Sequence, residues 1–198
     1  NIKARFVRGG STEYLVDMLE EGLTDYILDG QTFDLEGVRS MRENAGHVNT
    51  SPFTSYNWHG KGNFASLLDA VVLGATEVDI NFNANVVTHS DGRLLHGIGG
   101  WQNCLASKCT ILPIPSFRDR IPVLVDSVTT LCGPGELIDV IVTERGIAIN
   151  PQRRDLADEL PQVLDERPGL LSVGRPQRVE VHGGLLHQVR DREGRHQE

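Results

Sequence analysis

Glu77 and Asp79 follow an apolar run, Val71-Val72-Leu73, that Gly74 breaks, and their carboxylates can polarise or position a polar ligand. Such a run predicts a buried strand of parallel type, and open α/β sheets bind ligands where such a strand hands over to a loop. Asn83 and Asn85 lie just beyond, with carboxamides that both donate and accept hydrogen bonds. Gly97-Ile98-Gly99-Gly100 then lets a ligand approach bare backbone. Together these residues suggest a polar or thioester ligand held by main-chain groups. A lone GxGG also occurs in tight turns, and it lacks the GxGxxG spacing or the GK[ST] of a nucleotide site. An acid at a strand end also serves as a helix cap or ion-pair partner, so both readings of Glu77 stand.

The remaining reactive side chains point less clearly to chemistry. Cys104, Cys109 and Cys132 make neither a disulfide framework nor a CxxC pair, which fits a reducing, cytoplasmic compartment. Cys104 follows the glycine loop and reads better as a small half-buried side chain than as a nucleophile. His47, His59, His89 and His96 form no HxxxH or HExxH arrangement, so no metal is expected. Arg39, Lys61 and Arg118 are candidate counter-charges for a polycarboxylate, with surface cations as the plainer reading.

These groups must be positioned by alternating helices and strands. Ser11 or Thr12 can cap a helix carrying Leu15, Met18 and Leu19, ended at Gly22. Tyr26-Ile27-Leu28 predicts a short strand, and Asp34 caps a second helix with Leu35, Val38 and Met41 on its buried side. Ala45 to Asn63 is too irregular for either period and reads as a lid or interface loop carrying Phe53, Tyr56 and Trp58. A hairpin turning at Ser90-Asp91-Gly92 between Val86-Val87 and Leu94-Leu95 would deliver the glycine loop. Further strands are expected at Thr110-Ile111-Leu112, 122–125, 138–142 and 147–149. Asp155 can cap a last helix, after which prolines mark an irregular tail over 166–198.

With 198 residues, 39% of them hydrophobic and 23% charged, the chain can bury a full core as one α/β domain over 1–198. A net charge of −8 argues against nucleic acid or an anionic membrane surface as partner. No apolar run approaches the roughly 20 residues that span a bilayer, and the N-terminus carries no signal-peptide pattern. The first residue is Asn1 rather than Met, so an upstream segment is expected.

Dispersed motifs carry a resemblance across nearly the whole chain. They are Arg8-Gly9-Gly10, Leu19-Glu20-Glu21-Gly22-Leu23, Asp34-Leu35-Glu36-Gly37-Val38-Arg39-Ser40, Asn63 to Pro115, and Arg120-Ile121-Pro122. Val128-Thr129-Thr130, Pro134-Gly135-Glu136 and Asp139 to Pro151 follow in the same order. The chain resembles the citrate lyase alpha-subunit family and, through it, the CoA-transferase folds. The resemblance implies a CoA-transferase-like open, mixed, mainly parallel sheet flanked by helices, and places these motifs in the C-terminal half of a longer enzyme.

The activity it implies is exchange of acetyl for citryl on an acyl-carrier thioester, without a covalent enzyme intermediate. A related transferase acting on citramalate or another acid, and a noncatalytic thioester-binding or scaffold module, are the alternatives. CoA or a CoA-derived phosphopantetheine thioester on an acyl carrier protein would be the carrier. Partners would be that carrier protein, a citryl lyase subunit, the N-terminal half and further copies of the chain. Glu77 and Asn85 would act in catalysis, and Asn83, Gly97, Gly99, Gly100, Trp101 and Asn103 would contact substrate or thioester. Related transferases that form a covalent intermediate carry a glutamate in a Ser-Glu-Asn-Gly-like motif, where this chain reads Leu28-Asp29-Gly30-Gln31-Thr32-Phe33. The family pattern places His, a small residue or Cys, then Asp after the paired glycines. Here Trp101-Gln102-Asn103 precede Cys104, replacing charge and proton chemistry with an indole and amides.

Overall fold

A computed structural model describes residues 2–51 and 64–158, which fall into two compact units. The first comprises Asn1–Asp69 with Ala106–Lys108, the second Ala70–Leu105 with Cys109–Glu198. The Phe53, Tyr56 and Trp58 segment, Lys61 and the 166–198 tail lie outside the described residues.

The first unit runs β1 (Val7–Ser11), α1 (Glu13–Glu20), β2 (Ile27–Thr32), α2 (Leu35–Glu43), β3 (His47–Asn49). Its three strands pair in parallel in the order β1-β2-β3. Gly22 takes φ +73 past the C-terminus of α1, as the stop signal predicted, and Thr12 stands at the N-cap position, but its side chain makes no capping hydrogen bond. Strand β1, with two central glycines, has little sequence signal of its own. The Phe33 ring lies against its Gly10, where an added Cβ would sit 1.9 Å from Phe33 Cε2 and displace that exposed ring.

Helix α2 departs from its apolar pattern. Gly37 and Ser40 are buried, whereas Leu35 is 84% and Val38 57% exposed. The reason is polar: His47, buried on β3, shares hydrogen bonds through Nδ1 with Ser40 Oγ (3.0 Å) and through Nε2 with Ser11 Oγ (3.4 Å). His47 Nε2 also lies 3.5 Å from Asp29 Oδ2, so the turn of helix facing the sheet serves this network. Burial pushes the Asp29 carboxyl up, but hydrogen bonds from Thr32, Ser11 and the Gln31 N–H outweigh it, with help from His47, and hold it below its ordinary value. Strand β3 falls inside the segment expected to be irregular, because three residues are too few to show a period.

Asp34 caps both helices of this unit. Oδ1 accepts the Gly37 N–H of α2 and Oδ2 the Glu13 N–H of α1, each at 2.7 Å. Asp34→Ala is therefore expected to cost about 2 kcal/mol, the upper end for one cap, with Asp34→Asn recovering part of it. Urea midpoints of the three proteins measure this, and an Asp34→Ala midpoint equal to the parent would rule out the double cap.

The second unit holds β4 (Val71–Val72), β5 (Glu77–Asp79), β6 (Ala84–Asn85), α3 (Trp101–Cys104), β7 (Thr110–Pro113), β8 (Phe117–Arg118), β9 (Ile121–Pro122), β10 (Leu124–Val125), β11 (Val140–Thr143) and β12 (Gly146–Ile149). One sheet has the order β12-β11-β7-β4, another β10-β5-β6, and β8-β9 is a small hairpin. In the four-stranded sheet β4, β7 and β11 are parallel, with β12 antiparallel at one edge. Val78, Ala84, Leu112, Val123 and Ile138 centre the core. The single strand expected over 122–125 is split between β9 and β10, with buried Val123 between them. A helical turn covers 154–158, so Asp155 lies inside it rather than capping it, and pairs with Arg153 (2.7 Å).

Candidate functional site

Strand β5 carries Glu77, Val78 and Asp79, all buried. Its pairing is antiparallel with β6, which sets Glu77 opposite Asn85, and parallel with β10 on the other side. Glu77 is 2% exposed and Asn85 fully buried. Asn85 Nδ2 donates to Glu77 Oε2 (2.9 Å), the Thr129 N–H donates to the same oxygen (2.9 Å), and Thr129 Oγ1 donates to Oε1 (3.3 Å). Burial pushes the Glu77 carboxyl up, yet the hydrogen bonds of Asn85, Ser90 and Thr129 together outweigh it and hold the group below the ordinary glutamate range. This is an ionised carboxylate lodged among donors.

Asn85 is used on both sides. Its Oδ1 accepts the N–H groups of Val87 and Thr88 (3.2 Å each), and its Nδ2 also donates to Thr88 O (3.1 Å). Thr88 Oγ1 lies 2.7 Å from Thr130 Oγ1. Asp79 organises the next turn: Oδ1 accepts the Asn81 and Asn83 N–H groups at 2.9 and 3.0 Å, and Oδ2 accepts Asn83 Nδ2 at 3.1 Å. Asn83 Oδ1 then accepts the Gly135 N–H (2.9 Å). Arg118 donates to the carbonyl oxygens of Ala75 (2.5 Å) and Thr76 (3.4 Å), bracing the chain entering β5. Arg39, in the first unit, is taken up by Glu20, Glu36 and Glu43.

The expected hairpin follows. His89 N–H donates to Arg93 O and Leu95 N–H to Val87 O, with Gly92 at φ +83 in the turn. It leads to the glycine loop, where Gly97 and Gly99 are exposed and an added Cβ on either would meet nothing within 4 Å. Gly99 has φ +58 and Gly100 φ −85 with ψ 6, and the Trp101 N–H donates to Ile98 O (3.3 Å), the signs of a type II′ turn. Among the described residues, the N–H groups of Gly99 and Gly100 have no acceptor, leaving two adjacent donors unused in a loop where Gly99 is exposed and Gly100 half-buried.

Trp101 is 8% exposed and gives its indole N–H to Gly74 O (2.9 Å). Gln102 Nε2 donates to Cys132 O (2.7 Å), and Asn103 is half-buried on α3. The candidate residues thus form two clusters, one around Glu77, Asn85 and Asn83 and one around Gly97 to Asn103. Segment 129–135 touches both. Its Thr129, Thr130 and Gly135 carry partners that sequence reasoning left without a role, although Val128-Thr129-Thr130 and Pro134-Gly135-Glu136 stand among the shared motifs. Among the described residues no three His, Cys, Asp or Glu side chains converge as metal ligands, and no helix is long and apolar enough to cross a membrane.

Compared with known proteins, residues 1–194 match the family described as citrate lyase, alpha subunit (CitF). The chain belongs to the citrate lyase alpha-subunit family. It is similar to the citrate lyase alpha chain of Escherichia coli K12, with 41% identity over 98% of this chain and 40% of that protein. The citrate lyase alpha chain of Klebsiella pneumoniae is 39% identical over the same shares of each. The chain therefore spans about 40% of the length of the curated relatives it matches. A crystal structure described as the alpha subunit of citrate lyase from Streptococcus mutans in complex with citrate has 43% identity and a TM-score of 0.79. That match covers 82% of this chain and 32% of the other. The malonate decarboxylase alpha subunit of Acinetobacter baumannii, at 17% identity and TM-score 0.58 over 96% of this chain and 42% of that one, shares the fold alone. The family has the mixed, mainly parallel, CoA-transferase-like architecture read from the motifs.

Proposed function

We propose that this chain is the C-terminal part of a citrate CoA-transferase that exchanges acetyl for citryl on a thioester carried by an acyl carrier protein. Membership of the citrate lyase alpha-subunit family supports the reaction class, and the observation that carries the site is the adjacent pair of unused donors at Gly99 and Gly100. A carboxylate of the incoming acid attacks the acetyl thioester carbonyl, and the oxyanion that develops takes hydrogen bonds from those N–H groups. The carrier thiolate leaves, giving a bound mixed anhydride. The thiolate then attacks the citryl carbonyl and acetate departs. Gly97 and Asn103 flank the thioester, while Glu77, Asn85 and Asn83 hold the adjoining strand and turn. Carboxylates are weak nucleophiles in water, so positioning and exclusion of solvent provide most of the acceleration. The carrier protein, a citryl lyase subunit, the N-terminal part and further copies of the chain are the partners of this reading, in the cytoplasm.

The test is acetate release by the full-length protein from an acetyl carrier thioester, with and without citrate. Release that depends on citrate, with no mass added to the protein, is expected. Citrate-independent release, or a stable adduct on a carboxylate, would reject direct transfer. Gly99→Ala places a side chain at φ +58 and is expected to lower the rate about tenfold with little change in fold. The second reading, a noncatalytic thioester-binding module, is favoured by the burial of Trp101 where the family pattern has His. It predicts carrier binding without acetate release.

A further inference from the structure

Ile98 and Trp101 bracket the two unused donors of the glycine loop. Ile98 packs against the core and Trp101 belongs to it. The Trp101 side chain is held at both ends of its ring. At one end its N–H reaches Gly74 O; at the other its ring lies over Gly133, where an added Cβ would stand 2.5 Å from Trp101 Cη2 and 2.6 Å from Cζ3. Gly133 in turn exchanges backbone hydrogen bonds with Ala84 (2.9 and 3.0 Å), the neighbour of Asn85 on β6.

Resting on the reading of this loop as the thioester site, we infer that Trp101 is a positioning residue that acts from beneath: the Trp101–Gly133 pair fixes the angle at which the Gly99 and Gly100 donors meet the oxyanion. The indole touches no substrate. Its seat links the donor loop to the strand that carries Asn85, and Gly133 is the partner that leaves room for it.

Phe at 101 lacks the two ring atoms nearest Gly133, so Trp101→Phe should make space for Gly133→Ala. Each single substitution is expected to lower kcat about tenfold, short of the roughly 100-fold that loss of an oxyanion donor costs, with KM for the acetyl thioester unchanged. The double variant is expected to recover to within about threefold of the parent, a non-additivity that a loss of folded protein would not give. In the same full-length proteins, 15N-glycine spectra should show the Gly99 and Gly100 amides displaced in both single variants and returned in the double. Unmoved amides would overturn the inference whatever the activity, as would displaced amides with unchanged kcat or a double variant worse than either single one. Displaced and restored amides in a parent that transfers no acetyl group would uphold the positioning of the loop and reject the transferase reading instead.

Discussion

Asn85→Asp is expected to reverse the pH dependence of stability in the second unit. In the parent, the folded-state pKa of Glu77 is depressed. Its contribution is therefore fully present above the unfolded value of about 4.3 and is lost as pH falls through the folded value. Asp29 in the first unit behaves in the same sense. Replacing Asn85 by Asp sets a second carboxylate where Nδ2 now stands 2.9 Å from Glu77 Oε2, in a site that is 2% exposed at Glu77 and closed at 85. Two carboxylates at that distance cannot both ionise, so the pair retains a proton and its upper pKa is raised. The folded state then binds more protons than the unfolded state from about pH 4 towards neutrality, and stability falls as pH rises through that window. At pH 7 a loss of about 3–5 kcal/mol is expected, the cost of an unmatched buried charge. Urea unfolding at pH 5 and pH 7 measures it, and a variant more stable at pH 7 than at pH 5 would show that Glu77 and residue 85 do not share a site.

Gly135→Ala should be comparably severe for a steric reason. A Cβ there would stand 1.9 Å from Asn81 O and 3.1 Å from Asn83 N, both backbone atoms of the turn that Asp79 holds with its own hydrogen bonds. No side-chain rotation relieves that contact, so the cost is expected at about 3 kcal/mol or more. Gly97→Ala, where an added Cβ meets nothing within 4 Å, should stay within about 0.5 kcal/mol. A pair of thermal melts distinguishes them. Equal midpoints would mean that the 135 segment does not lie against the Asn81 turn.

How much could be read beforehand depended on the kind of signal. Asp34 with a helical stretch behind it, and a turn at Gly92 between apolar pairs, are local patterns, and both elements formed where the residues placed them. The parallel strands were legible as apolar runs at β7 and β11, whereas β1 and β3 were not: one is glycine-rich and the other three residues long. Helix α2 misled because its core face carries Ser40 and Gly37 for a buried histidine, an arrangement visible only when β1, β2 and β3 are side by side. At the site, Glu77, Asn83 and Asn85 were conspicuous by type and spacing. Their partners Thr129 and Gly135 lie some fifty residues away along the chain, and no period or spacing connects them. Trp101 was legible as a departure from the family pattern, but the space left for it at Gly133 belongs to tertiary packing.

The double cap at Asp34 bears on the order in which the first unit comes apart. Two helices that each had a private cap could fray separately, whereas a shared carboxylate makes release of either end weaken the other. In native-state hydrogen exchange, the amides of α1 and α2 would then open as one unit at one free energy, and β1, β2 and β3, which the helices cover, would open only after them.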